Sequence, residues 1–316
     1  MLTYLVRRLA WGLGVLIAVG AVTFLLTYIV PGDPAKTIAG LHASPADVQR
    51  IRVALGLDQP FPVQVAAYVG RVLRLDFGMS TSLNTPVSDL LLSRFPATAQ
   101  LALGGVAIGV LIGLPLGMLA AARRGRWTDR LISILSAVMI AAPIFWVALL
   151  VQYGFGTLPK LTWKVDLFAI NGYQPFDPRH LFLPCLALGL LLAGAYIRLV
   201  RAALLEELSR DYTRTARAKG LPPSRVVWRH AMRNAASPLL AQLGLDIGIL
   251  LGGVVIVEKI FSFAGVGKLA ADSFQSRDVP LIMGTVMFGT IWIVLANLAA
   301  DLIQAVLDPR IRTRSI

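Results

Sequence analysis

LVRAALLEELSRDYTRTARAKGLPPSRVVWRHAMRNAASPLL, residues 199–240, is the longest polar and charged run between apolar stretches of this chain. Up to Lys219 it holds no proline or glycine and is rich in Ala, Leu, Glu and Arg, so it is expected to continue as helix from the apolar residues before it. Gly220 stops that helix, because glycine accepts the left-handed backbone without a Cβ penalty, and Pro222 and Pro223 forbid direct continuation. Ser224 is placed to cap a second helix. On it Arg225, Arg229 and Arg233 recur every four residues along one face, while Val227, Trp228, Ala231, Met232 and Ala235 share another. A basic amphipathic helix lies on anionic lipid or seats its apolar face in a partner's groove, and the physics of the sequence leaves both open. Either way the stretch reads as a docking surface and not as an active site.

The surroundings of that surface are apolar. Of 316 residues 56% are hydrophobic and 15% charged, with a mean hydropathy of +0.71, which excludes an ordinary soluble domain. Residues 9–30, 97–122, 131–155, 181–200, 239–257 and 281–307 read as six membrane spans of an all-α protein. The first is longer than a signal-peptide core and lacks a small-x-small cleavage pattern after it, so an uncleaved span is expected. Pro115 and Pro143 should kink spans two and three. Small residues crowd span two (Gly104, Gly105, Gly109, Gly113, Gly117) and span five (Gly244, Gly248, Gly252, Gly253), which allows close helix approach.

Charge sets the orientation. With Met1 inside, the cytoplasmic segments carry 18 of the 30 Lys and Arg residues against five acids, so the net charge of +13 lies on that side. Both termini and residues 199–240 are then cytoplasmic, and a nucleic-acid partner is not needed to explain the basic balance. Outside lie residues 31–95, whose scattered Val65, Tyr68, Val69, Val72 and Leu75 suggest short packed helices. Residues 156–180 follow, with Trp163, Tyr173 and Phe176 suited to an interface, and then residues 258–280.

Few residues offer chemistry. Cys185 sits in an apolar span and reads as a small core residue. His42, His180 and His230 lie in separate polar segments without metal-ligand spacing, and no Gly-x-Ser-x-Gly elbow occurs. Gly265-Val266-Gly267-Lys268 resembles half a phosphate loop, yet Ser262 stands where the first glycine belongs and Leu269 where Ser or Thr should follow. Asp246 and Asp301 fall within spans, where a charge must face protein or water. For Asp246 a pathway or gating role and a structural hydrogen bond to a neighbouring subunit both stand; Asp301 reads as an anchor near the cytoplasmic interface.

The segment RDYTRTARAKGL, residues 210–221, followed by Arg225, His230, Arg233-Asn234-Ala235 and Pro238, resembles the EAA-type cytoplasmic loop of bacterial ATP-binding-cassette import permeases, and more narrowly the dipeptide/oligopeptide/nickel permease family. The motif's acidic-Ala-Ala triplet falls on Arg214-Thr215-Ala216 and its glycine on Gly220; loss of the acidic residue matches the peptide subfamily. Gly32-Asp33-Pro34, Leu55-Gly56-Leu57-Asp58, Phe77-Gly78-x-Ser80, Pro86-Val87 and Arg94-x-Pro96-Ala97-Thr98 resemble that family's first external loop. Glu258, Phe261, Gly265-x-Gly267, Arg277-Asp278-x-Pro280 and Asp308-Pro309-Arg310 match further on, with Ala264 where proline is common.

The resemblance implies a type I importer permease fold: residues 1–95 as first helix plus external loop, 96–308 as a five-helix core with its coupling loop at 199–240, and 309–316 as a cytoplasmic tail. It implies that Asp211, Tyr212, Arg214, Thr215, Ala216, Lys219, Gly220, Arg225, Trp228, His230 and Arg233 engage a cytoplasmic ATPase, and it leaves Asp246 as a pathway or gating residue. The implied partners are a second, homologous permease, two ATPase subunits, an external solute-binding protein and membrane lipid. The chain itself would hold no cofactor, ATP and Mg being bound by the ATPases. An ion-coupled transporter working alone would need a route of ionisable groups and usually internal repeats. A membrane-anchored scaffold would use the basic loop on lipid alone.

Overall fold

The computed structural model describes residues 2–29, 44–54, 58–222 and 225–307 of the chain. The chain opens with α1 (Leu2–Ile29), α2 (Pro45–Ala54) and α3 (Phe61–Val72). α4 (Val87–Ala122) is followed by α5 (Trp127–Ala141) and α6 (Ile144–Val151), and α6 runs through a π-helical turn, Gln152–Thr157, into α7 (Leu158–Thr162). α8 (Pro178–Ser209), α9 (Asp211–Ala218) and a second π-helical turn, Val226–Ala231, lead into α10 (Met232–Leu251). α11 (Val255–Ile260), α12 (Val266–Ser276) and α13 (Val279–Leu307) complete the described fold. Among the described residues, six helical segments are long and apolar enough to cross a membrane: Val6–Leu25, Val87–Ala122, Ile144–Thr162, Pro178–Ser209, Met232–Leu251 and Val279–Ala300. This is an all-α, six-span membrane protein.

The centre of the fold is the parallel pair α4 and α8, whose contacts run in step along both helices. Glycines at four-residue intervals on α4 meet bulky residues on α8: a Cβ on Gly105 would lie 2.5 Å from Leu188, and one on Gly113 2.6 Å from Tyr196. The small residues therefore do what their spacing predicts, bringing the two backbones together. On the other side α13 carries α1 and α10, and α3 buries Val69 and places Tyr68 and Val72 in a cluster with Phe24 of α1.

Several boundaries differ from expectation. α4 begins at Val87 rather than at residue 97 and carries both Pro96 and Pro115 without interruption. Pro143 does more than kink: it drives Ala142 into an extended conformation (φ −69, ψ 129) and separates α5 from α6, so the third apolar crossing is Ile144–Thr162 rather than residues 131–155. The fifth span stops at Leu251. Gly253 turns the chain with φ +116, and a Cβ there would lie 3.0 Å from the Gly267 backbone, so this glycine serves a bend as well as packing. Trp163 and Phe176 are exposed, but Tyr173 is tucked against Phe263 with ring centroids 4.8 Å apart, because its hydroxyl accepts from Gln100 Nε2 at 2.8 Å. Leu75 is exposed, unlike Val65, Tyr68, Val69 and Val72.

Candidate functional site: the cytoplasmic loop and its braces

The helix expected to run unbroken to Lys219 is interrupted at Arg210, whose ψ of 150 is extended. The cause lies in the third residue beyond it. Thr213 is fully buried, and its hydroxyl points back at the carbonyls left open by the break, 2.7 Å from that of Arg210 and 3.0 Å from that of Leu208. A short polar side chain thereby gives the backbone an alternative to the helical ladder. α9 consequently leaves α8 at an angle and presents a polar surface: Asp211, Arg214, Thr215 and Lys219 are exposed, while Ala216 is buried.

Tyr212 holds this corner from both sides. Its hydroxyl donates to the carboxylate of Glu207 on α8 and accepts from Nδ2 of Asn234 on α10 at 3.1 Å. Partial burial, and then the Glu207 carboxylate, push the phenol up from its usual range. One ring thus ties the two halves of the loop together. Gly220 ends α9 as expected, with φ +75 and its N–H on the carbonyl of Arg217 at 2.9 Å. A Cβ there would meet nothing within 4 Å, so the requirement is for backbone conformation and not for space.

The second half of the loop differs from a regular amphipathic helix. Ser224 and Pro223 lie outside the described residues, and the chain resumes at Arg225 and passes directly through the π-helical turn Val226–Ala231 into α10. The wider i→i+5 winding shifts the buried face to Val226 and Ala231, five residues apart. Trp228, expected on the apolar face, is 63% exposed. It overhangs a groove of about 930 Å³ between the ends of α4 and α8, with Pro115, Leu119 and Leu208 on its walls and Arg124 and Arg217 among its lining residues. Arg225, Arg229 and Arg233 are all exposed, as their spacing predicts. His230 falls in the π turn, and its side chain lies outside the described residues, as does that of Asp301.

Asp246 is remote from this surface. Its carboxylate accepts from the hydroxyl of Tyr196 on α8 at 2.8 Å and from Gln242 Nε2, one turn earlier on α10, at 2.9 Å. The structural partner envisaged on another subunit is supplied within the chain, and the half-buried carboxylate is a polar tie between α8 and α10.

Three buried carboxylates that the sequence did not single out as sites brace the two ends of the fold. At the cytoplasmic end Asp129 receives Nε and Nη2 of Arg201 at 2.6 and 2.9 Å and the Gly125 N–H at 2.9 Å. The Arg201 guanidinium, above all, holds this carboxyl down, to about 2. At the external end the fully buried Glu258 accepts from Thr98 Oγ1 at 2.8 Å and from the Lys268 N–H at 2.7 Å. Burial pushes this carboxyl up, against the pull of those donors. Glu258 therefore occupies the incomplete phosphate loop: a Cβ on Gly265 would lie 2.4 Å from its carboxyl carbon. Asp278, also fully buried, accepts from Ser80 Oγ at 2.5 Å, Ser82 N at 2.9 Å and Ser82 Oγ at 2.7 Å, pinning the first external loop to the third. The signal for Asp278 and Ser80 was their place in family-like motifs; Asp129 and Arg201 are 72 residues apart and carried none.

Comparison with known proteins bears on this arrangement. The family described as binding-protein-dependent transport system inner membrane component matches residues 113–313, and its N-terminal counterpart matches residues 1–102. The chain is 38% identical over 329 residues to the probable D,D-dipeptide transport system permease protein DdpB of Escherichia coli (strain K12), covering 97% of each. It is 38% identical over 312 residues to the glutathione transport system permease protein GsiC of Salmonella paratyphi A, covering 99% of each. Among solved structures, an inward-facing MetNI methionine ABC transporter shares the fold with a TM-score of 0.55 at 19% identity, over 69% of this chain and 96% of that one. An amino acid ABC transporter does so with a TM-score of 0.52 at 20% identity, over 71% of this chain and 94% of that one.

Proposed function

This chain belongs to the binding-protein-dependent transport system inner membrane component family, and from that premise we propose how its geometry serves transport. It is a multi-pass inner-membrane permease subunit of an ABC importer, working in a complex with other subunits. Its cargo is a dipeptide or a short peptide-like solute, the class named for its relatives. It pairs with a second, similar permease, receives solute from an external binding protein, and is driven by two cytoplasmic ATPases that hold ATP and Mg. The chain has no nucleotide site of its own, a reading supported by the Glu258 carboxylate already taking the donor of its one phosphate-loop-like segment.

The observation that carries the coupling role is the braced corner of the cytoplasmic loop. α9 projects with its polar face free, and the Arg210 break, Thr213 and Tyr212 fasten its base to α8 and α10. When ATP closes the ATPases, the surface made by Asp211, Arg214, Thr215 and Lys219 is drawn with them, Arg225, Arg229 and Arg233 orient against acidic or lipid surfaces, and Trp228 and Met232 supply apolar contact. Ala216 and Gly220 shape the turn, and Asp246 stands between the two spans whose separation would open the path. The permease thus contributes contacts that differ between two states.

Co-purification in mild detergent, with mass spectrometry and an ATPase assay, tests this reading. Two ATPases and a second permease are expected, with stimulated hydrolysis lost on deletion of residues 210–233. A chain that purifies alone and inactive in nanodiscs would overturn it.

A further inference from the structure

α5 has two possible mechanical partners, and the structure distinguishes them. Toward α6 it is cut loose, because Ala142 and Pro143 are both extended and no helical ladder crosses them. Toward α8 it is latched twice. Arg201 grips Asp129 through two nitrogens, and Ser136 Oγ donates to the Gly194 carbonyl at 2.7 Å. The two latches are seven residues apart on each helix, 129 to 136 and 194 to 201, which is two turns or about 10.5 Å of axis. Equal spacing on antiparallel helices fixes their register. Between the latches Ile132 and Ile197 are buried with Ala120 of α4. A Cβ on Gly194 would lie 2.8 Å from Met139 Cβ, so the helices approach closely at the upper latch. Asp129 also receives the Gly125 N–H, which adds the turn between α4 and α5 to the same unit.

We propose that Asp129 and Arg201 are positioning residues for energy coupling. They make the turn after α4, α5 and the cytoplasmic half of α8 one rigid lever, with its hinge at Pro143, so that displacement of α9 is delivered to α5 instead of being absorbed by bending of α8. The proposal rests on the coupling role of the cytoplasmic loop. It adds a second moving element that has no sequence contact with that loop and is set by an ion pair. The Arg201 guanidinium has a further reason to be an arginine: its planar fork meets both carboxylate oxygens, which a lysine cannot do.

The test uses the whole transporter in proteoliposomes, with spin labels at Ile134→Cys on α5 and Glu206→Cys on α8 in a Cys185→Ala background; the chain has one cysteine. With the pair intact, the label separation is expected to be the same with and without ATP. In Asp129→Asn the separation should broaden, and solute moved per ATP hydrolysed should fall about five-fold, within the range over which substitutions in packed networks alter coupling. Hydrolysis itself should persist, which separates this effect from loss of the fold. Arg201→Lys, which keeps the charge and loses the fork, should give a smaller loss and serves if Asp129→Asn fails to assemble. A label separation that changes with ATP in the intact pair, or an unchanged transport-to-hydrolysis ratio in both variants, would overturn the lever. Gly220→Val reports on the underlying coupling reading: if it and deletion of residues 210–233 leave the ratio intact, that reading falls, and the lever with it.

Discussion

The cytoplasmic and external ends of this permease bury carboxylates in opposite ways. At the cytoplasmic end Asp129 meets a guanidinium from another helix; at the external end Glu258 and Asp278 meet N–H and O–H donors from turns and helix starts. The two-point grip of Arg201 on Asp129 joins two helices side chain to side chain, so that one carries the other, whereas main-chain donors fix turns and loops in place. The external end is accordingly built as a frame, closed by Glu258 across α4, α11 and α12 and by Asp278 across two loops. The cytoplasmic end is built to transmit. The positive-inside bias explains part of this contrast, since cytoplasmic segments hold the arginines from which such a partner is drawn.

The contrast should be broken most severely at Glu258. Glu258→Ala would leave the Thr98 hydroxyl and the Lys268 N–H buried without an acceptor, and each unsatisfied donor costs roughly 1–3 kcal/mol. A loss of about 4 kcal/mol, read as a collapse in detergent-stable complex, is expected, with Glu258→Gln recovering part of it. A stable Ala variant would deny the frame. Next, Arg201→Ala should cost about 3 kcal/mol, at the lower end for a broken buried pair because Arg201 is itself partly exposed and its removal admits water to Asp129. Thermal unfolding of the purified complex measures it.

Acidification should move the Asp129 and Glu258 sites in opposite directions. Asp129 is depressed when folded, to about 2, so its contribution is complete above the unfolded value near 3.8 and is lost as pH falls toward 2. That contribution is about 2 kcal/mol. Glu258 is raised when folded, so its share is present below the unfolded value and is lost as pH rises through the folded one. Hydrogen exchange corrected for intrinsic rates should show the turn after α4 loosening at low pH while the start of α12 tightens. Equal responses at the two sites would remove the distinction.

Between the ends, Asp246→Asn is expected to lower uptake several-fold at unchanged assembly; normal uptake at normal expression would dismiss a pathway or gating role. Tyr196→Phe, which removes one hydrogen bond at membrane depth, should cost only about 0.6 kcal/mol and shift uptake less.

Much of this was legible in order along the chain. Six apolar stretches, the glycine ladder of α4, the stop at Gly220 and the exposed arginine trio follow from local composition and period. The misreadings have specific causes. The sequence reads as helix past Arg210 because no proline or glycine occurs before Gly220, and only Thr213, buried by tertiary packing, turns the chain. The burial of Val226 escapes a 3.6-residue period because the π turn does not obey it. Tyr173 was read by residue type, yet Gln100 from another helix decides its direction.

Amphipathic period, span length, the side that carries the charge and the glycine that ends α9 were determined by the sequence alone, because each depends on neighbours within a few residues or on bulk transfer to lipid. Which carboxylate meets which donor was decided only by the tertiary structure. Asp129 and Arg201, Thr98 and Glu258, and Ser80 and Asp278 are each more than seventy residues apart. A buried charge in such a protein selects whichever compensating group the packed helices bring within about 3 Å, and no local pattern in the chain records that distance.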